Sequence, residues 1–467
     1  MNLERKWNNM GETQEKKVSL VQTILFTICS VLVLDSLAGA PAFAGVRSIT
    51  MWLIFAVIFF IPYGLLNAEL GSTYPDAGGI TSWCTRAFGE HVGVQVGWFY
   101  WINVAFWMPA VFLTFAYWLS YTFFPDASVW VIAAISLIMS WLIVWIGYRG
   151  VELSVTLTSI ASICKMAILV IFGILGAAYV IKNGPANAFT IDDFKITSMS
   201  DMSSGLAIIV YNLLGFELIG SIGDKIDNPE KTIPKMSILA GVAITVLYVI
   251  GTFGMLAALP AETIDTMDGF YYALEELCSV FGAGQKPILG ILVIVSCLTL
   301  VSNMISWTLG ANESLIAAEL DKRNRFLGAR SRYGTAGNLY IVMGVLSTVL
   351  LILNFLLGSE EANAIFWDIF SFSLVIFMIP YLVMFAAAIR LRYSDAERKR
   401  VYKVPGGNAG MWVCGILCFG CICICLYYMF ADDIAAGNRF ALWVKIIGTV
   451  LSAAVGEYLY RAGGKKC

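Results

Sequence analysis

Charge is what this sequence has least of. Of its 467 residues only 13% are Asp, Glu, Lys or Arg, while 59% are hydrophobic. A soluble domain carries about 25% charged residues. So little charge excludes a water-solvated globular protein. There is one histidine, His91, expected in a loop, and no His-Glu-x-x-His, Gly-x-Ser-x-Gly or P-loop pattern. The common sequence routes to a zinc hydrolase, a serine hydrolase or an NTPase are therefore missing, and no enzyme is expected. Apolar–polar alternation of the β-barrel kind is absent as well. A net charge of −2 gives no reason to expect nucleic acid. Eleven cysteines show no disulfide framework. Five of them, Cys414, Cys418, Cys421, Cys423 and Cys425, share an apolar segment without His or carboxylate. They read as small apolar residues, and neither metal nor cofactor is expected.

What is present is a series of unbroken apolar runs of ~20 residues, the length a helix needs to cross a ~30 Å hydrocarbon core. Twelve spans are predicted, at about 18–44, 48–70, 93–123, 128–147, 152–181, 202–223, 236–259, 286–319, 339–357, 363–389, 409–430 and 440–461. Residues 1–17 are polar and read as a cytoplasmic tail, with no cleavable signal. Residues 18–430 form the expected helical core, and 431–467 hold span 12 and a second cytoplasmic tail. With the N-terminus inside, only Arg47, Lys182, Lys195, Lys286 and Arg439 fall on outer segments, and Lys165 and Lys445 fall within spans. The other 23 of the 30 Lys and Arg lie on inner segments. That bias predicts a multi-pass protein of a bacterial cytoplasmic membrane with both termini cytoplasmic.

Two spans are interrupted. Span 6 reads Tyr211-Asn212-Leu213-Leu214-Gly215-Phe216-Glu217, and span 1 reads Asp35-Ser36-Leu37-Ala38-Gly39-Ala40-Pro41. A carboxylate at bilayer depth costs roughly 2.5–3.5 kcal/mol on insertion scales, so Glu217 is expected to have a partner or a task. Gly tolerates backbone that leaves the helix. Breaks in corresponding spans of two halves point to a transporter's binding site. A five-span repeat is odd, so its second copy enters the membrane from the other side. The predicted architecture is an all-α bundle of 12 helices with a five-plus-five inverted repeat, about 18–181 and 202–389. A six-plus-six transporter would place its long basic loop between spans 6 and 7. Here the two most basic loops are 320–338 and 390–408.

Tyr211–Pro234, with Asp227-Asn228-Pro229 and Thr232-Ile233-Pro234, resembles the sixth span and following loop of the amino acid–polyamine–organocation family. Ala68-Glu69-Leu70, Tyr74-Pro75 and Gly78-Gly79 resemble its second span and first cytoplasmic loop. Trp307-Thr308-Leu309-Gly310-Ala311-Asn312 and Ala317-Ala318-Glu319 resemble its eighth span. Pro41-Ala42-Phe43-Ala44 and Phe60-Ile61-Pro62 are similar to the bacterial branch of glutamate/GABA-type antiporters. The resemblance implies a LeuT-like fold, alternating access, an amino acid or amine held between spans 1, 3, 6, 8 and 10, and no prosthetic group. Glu217 matches the family's sixth-span glutamate, with an implied role in coupling or gating. Lys165 matches a fifth-span lysine that stands in for a sodium site in sodium-independent members. Trp307 matches an aromatic that closes over substrate.

Asp35 departs from the family pattern, which has a small neutral residue in a Gly-Ser-Gly-type motif there. An ionised Asp repels a substrate carboxylate and attracts an ammonium. The expected site therefore comprises Asp35, Ser36, Gly39, Ala40, Asn103, Trp107, Met108, Tyr211, Asn212, Leu214, Gly215, Trp307 and Ser371, with Glu217 and Lys165 in coupling. Trp367, Phe370 and Ser373 are weaker candidates. The leading expectation is an antiporter of an amino acid or related amine, with Asp35 favouring cations. Two alternatives stand: a proton-coupled permease for zwitterionic or acidic amino acids, and a non-transporting amino acid sensor. Expected partners are the substrate, protons, the bilayer and, for a homodimer rather than a monomer, a second copy.

Overall fold

The computed structural model describes residues 17–357 and 360–463, with side chains at 199, 200, 204, 321, 357–370 and 463 left outside the description. Eleven helices among the described residues are long and apolar enough to cross a membrane, and Leu20–Val31 is a twelfth, shorter one. Unbroken apolar sequence folds this way because backbone groups in hydrocarbon find no water. A helix satisfies them within one segment.

Span 1 is the helix Leu20–Val31, a non-helical stretch over residues 32–38, then the short helix Gly39–Ala44. Ser19 starts it with a capping box to Gln22. Span 6 is Met199–Asn212, a turn, then a 3₁₀-helix Phe216–Lys225. The turn is possible because Gly215 adopts φ 126°, where a side chain is strained. A Cβ there would also stand 3.2 Å from both Trp307 and Val31. Span 2 runs Arg47–Phe55, one π-helical turn Ala56–Phe60, then Ile61–Thr73. Pro62 lacks an N–H and crowds the preceding turn, and the widened turn just before it accommodates both.

The remaining spans are Glu90–Phe123 (3), Val129–Arg149 (4), Val151–Asn183 (5), Pro229–Ala258 (7), Gln285–Ile316 (8), Gly337–Leu357 (9), Glu360–Ser394 (10), Gly407–Ala436 (11) and Arg439–Gly463 (12). His91 corrects an expectation. It lies in the first turn of span 3, after Gly89 at φ 91°, and its Nε2 is 2.6 Å from Glu457 of span 12. A glycine start and a pairing across helices pull it out of the loop.

Three contacts lock the breaks in place. Tyr248 of span 7 puts its hydroxyl 2.7 Å from Val31 O and 2.9 Å from Asn212 O, and accepts Val33 N–H at 3.1 Å. One phenol thus serves backbone groups freed at both breaks. The Gly78-Gly79 turn lies on the second half of span 6, with Gly78 N–H donating to Ser221 O at 3.0 Å. A Cβ on Gly79 would come within 2.9 Å of Ser221 N, so the two backbones meet directly. Finally, Val18 pairs with Ile226 in a bridge that ties the entry of span 1 to the exit of span 6.

Candidate substrate site

The first helix of span 1 ends with peptide carbonyls that have no partner further along the helix, and aligned dipoles leave partial negative charge there. Lys165, buried at mid-span 5, answers them. Its ammonium donates to Cys29 O at 2.8 Å and Leu32 O at 2.6 Å. A side-chain cation thereby sits on the carbonyls freed at the first break.

Asp35 follows three residues later, buried, and its Oδ1 finds no hydrogen-bond partner among the described residues. It interacts with the Lys165 charge and the Trp107 indole. Its field also reaches the Tyr211 and Tyr248 phenols. Ser36 Oγ donates to Asn212 Oδ1 at 2.5 Å, and Asn212 Nδ2 returns a bond to Ser36 O at 3.2 Å. The two breaks are thus stitched side by side, with a carboxylate oxygen left over.

An aromatic enclosure stands beside them. Trp107 and Trp307 meet edge to face at 5.6 Å, and Trp307 Nε1 donates to Ser30 O at 2.9 Å. Phe377 of span 10 touches Trp307 at 5.4 Å, Tyr211 at 5.5 Å and Tyr381 at 5.0 Å. Aromatic faces carry the negative end of the ring quadrupole and attract organic cations. One turn from each tryptophan, Asn103 and Asn303 each leave both side-chain polar atoms unpartnered among the described residues.

Glu217 is enclosed differently. Its Oε1 accepts the hydroxyls of Tyr100 at 2.6 Å and Tyr381 at 2.7 Å, and its Oε2 accepts that of Tyr63. The Tyr63 oxygen in turn accepts Gly215 N–H at 3.2 Å and Glu217 N–H at 3.4 Å. Donors from spans 2, 3 and 10 converge on one carboxylate in span 6. The arrangement stabilises a buried negative charge and ties three spans to the second break.

Of the expected residues, Asp35, Ser36, Trp107, Tyr211, Asn212, Gly215 and Trp307 gather around the paired breaks. Asn103, Met108 and Leu214 are buried close by in sequence. Gly39 and Ala40 sit instead in the short helix Gly39–Ala44, where Gly39 packs against Ile208. Ser371 has an interaction of its own on span 10, and Trp367 and Phe370 lie outside the described side chains. The sequence reading missed Tyr63, Tyr100, Tyr248, Asn303, Phe377 and Tyr381. For Tyr63, Tyr100 and Tyr381 the signal was a buried Glu217 in need of donors; nothing in the sequence marked the other three.

Residues 18–452 match the family model described as amino acid permease. The chain is 29% identical over 455 residues to the probable agmatine/putrescine antiporter AguD of Lactococcus lactis, covering 96% of each. It is 24% identical to the glutamate/gamma-aminobutyrate antiporter of the same species, covering 85% of this chain and 80% of the relative. The fold superposes on a manganese transporter of Eremococcus coleocola with a TM-score of 0.63 over 95% of both chains, at 11% identity. With nearly its whole length matched, this all-helical chain with spans 1 and 6 broken belongs to the amino acid permease family of membrane transporters.

Proposed function

We propose that the protein exchanges organic amines across a bacterial cytoplasmic membrane by alternating access, with both termini in the cytoplasm. The observation that carries this reading is the unpartnered Asp35 oxygen beside Trp107, with the rings of Trp307, Phe377 and Tyr211 grouped alongside. A primary ammonium or guanidinium supplies the missing donors and rests against aromatic faces. A substrate carboxylate would meet Asp35 head on, and the Lys165 ammonium is already committed to two carbonyls. The acidic amino acid alternative is therefore disfavoured, and the name of the agmatine/putrescine relative leans the same way. Glu217, with both oxygens occupied, serves as the coupling group and not as a second cation pole. Residues 18–181 and 202–389 form the two inverted halves. The site is buried, so substrate reaches it only when the halves of spans 1 and 6 move.

The test is counterflow in proteoliposomes with agmatine, putrescine, glutamate and γ-aminobutyrate, for the parent and for Asp35→Asn. Hydrogen bonds to charged groups contribute about 1.5–3 kcal/mol, so Asp35→Asn should weaken amine exchange roughly 10- to 100-fold while the protein stays folded. Exchange of amino acids alone, with Asp35→Asn tolerated, rejects the amine assignment and moves attention to Lys165 and Glu217.

A further inference from the structure

Between spans 2 and 7 an apolar groove of about 380 Å³ opens on the outer surface of the bundle. Gly64 and Gly241 line it from either side, and Phe216, first residue of the second half of span 6, forms its floor. A Cβ on either glycine would lie 3.4 Å from the Phe216 ring, so both helices pack close on that buried ring and the missing side chains leave the groove open above it. Ile61, Ile238, Val242 and Val246 along the rim are exposed by 49–63%. Aliphatic side chains so exposed at mid-span face hydrocarbon rather than water.

The other end of the groove reaches Pro234 and Tyr402. Lys235 follows Pro234, Lys403 follows Tyr402, and Lys231 lies one turn before Lys235. All three lysines are exposed, and none is ion-paired among the described residues. We propose that this groove seats one acyl chain of an anionic phospholipid whose headgroup rests on Lys231, Lys235 and Lys403. The charge at the rim selects the lipid, because a zwitterionic headgroup gains no net attraction from three unpaired lysines. Each lysine near an anionic surface adds roughly a fivefold preference. The seated chain would touch two places that hold the moving parts. Phe216 precedes the caged Glu217, and Lys403 precedes Val404, whose N–H donates to Glu69 of span 2 at 2.7 Å.

The full chain, extracted from vesicles of equal phosphatidylglycerol and phosphatidylcholine, is weighed intact by native mass spectrometry. The parent should retain one phosphatidylglycerol in preference to phosphatidylcholine. The triple variant Lys231→Gln, Lys235→Gln, Lys403→Gln, confined to exposed residues, should lose that preference by tenfold or more. Val242→Trp, which fills the groove from its exposed edge, should lose the retained lipid altogether. A parent that shows no preference, a triple variant that keeps it, or a Val242→Trp variant that retains lipid like the parent overturns the proposal. Transport is not the readout, so the outcome is independent of the amine assignment.

Discussion

Tyr63 is predicted to be worth more to the fold than either other tyrosine on Glu217. Replacing Tyr100 or Tyr381 by Phe removes one hydroxyl from Oε1 and leaves the other in place. The expected cost is one charge-assisted bond, about 1.5–3 kcal/mol. Replacing Tyr63 by Phe removes the only donor to Oε2 among the described residues and the acceptor of the Gly215 amide at the break. An orphaned buried amide adds about 1–3 kcal/mol, for a total of roughly 2.5–6 kcal/mol. Phe keeps the ring, which packs on Phe216 at 5.4 Å, so volume is not a confounder. The assay is equilibrium unfolding in mixed micelles for the three Tyr→Phe variants, each also on a Glu217→Gln background. On that background the penalty of Tyr63→Phe should shrink to the amide part alone. Equal destabilisation by Tyr63→Phe and Tyr100→Phe, within about 0.5 kcal/mol, refutes the assignment of Tyr63 as the bridge between Glu217 and the break.

Lys165→Met keeps the stem but strips the Cys29 and Leu32 carbonyls of their donor, and should abolish counterflow and lower the thermal midpoint in detergent. Survival of transport would show that the first break needs no cation. Gly215→Ala forces a side chain into φ 126° and against Trp307, and should cost about 1–3 kcal/mol in the same unfolding assay, well above a helical Gly→Ala control. Glu69→Gln leaves the Arg392 and Arg400 guanidiniums buried without their counter-charge, and should destabilise by about 3–5 kcal/mol. A double change that also neutralises Arg392 should recover part of that loss.

The sequence carried the fold because membrane insertion writes itself in composition. Twenty apolar residues in a row, a glycine beside a carboxylate and a lysine count by loop are all local signals. Spans 1 and 6 break where Asp35 and Gly215 indicated. Lys165 and Glu217 stood out because a charge in an apolar run is expensive. The tyrosines did not stand out. Among 20 tyrosines most are compatible with an interfacial belt, and nothing local separates Tyr63, Tyr100 and Tyr381 from those. Their role exists only once spans 2, 3, 6 and 10 are brought together. Glu69 was visible as part of a motif, yet its partners lie more than 300 positions away in Arg392, Arg400 and Val404.

The two breaks are held by opposite charges. At the first, Lys165 neutralises carbonyls at a helix end; at the second, Glu217 collects hydroxyls that reach the Gly215 amide. Asp35 lies between these systems, close enough to feel Lys165. On the amine assignment proposed above, a substrate cation bound at Asp35 would also repel Lys165 and weaken its hold on Cys29 and Leu32. The far end of span 2 is meanwhile fastened by Glu69 to the last turn of span 10 through Arg392 and to the segment after it through Arg400. Spans 2 and 10 also supply Tyr63 and Tyr381 to Glu217, two of the three donors that hold the second break. On that assignment substrate charge would act on span 1 through Lys165, while spans 2 and 10 join the basic end to span 6 through the tyrosines. Movement of one half without the other would leave either a buried ammonium or a buried carboxylate short of partners.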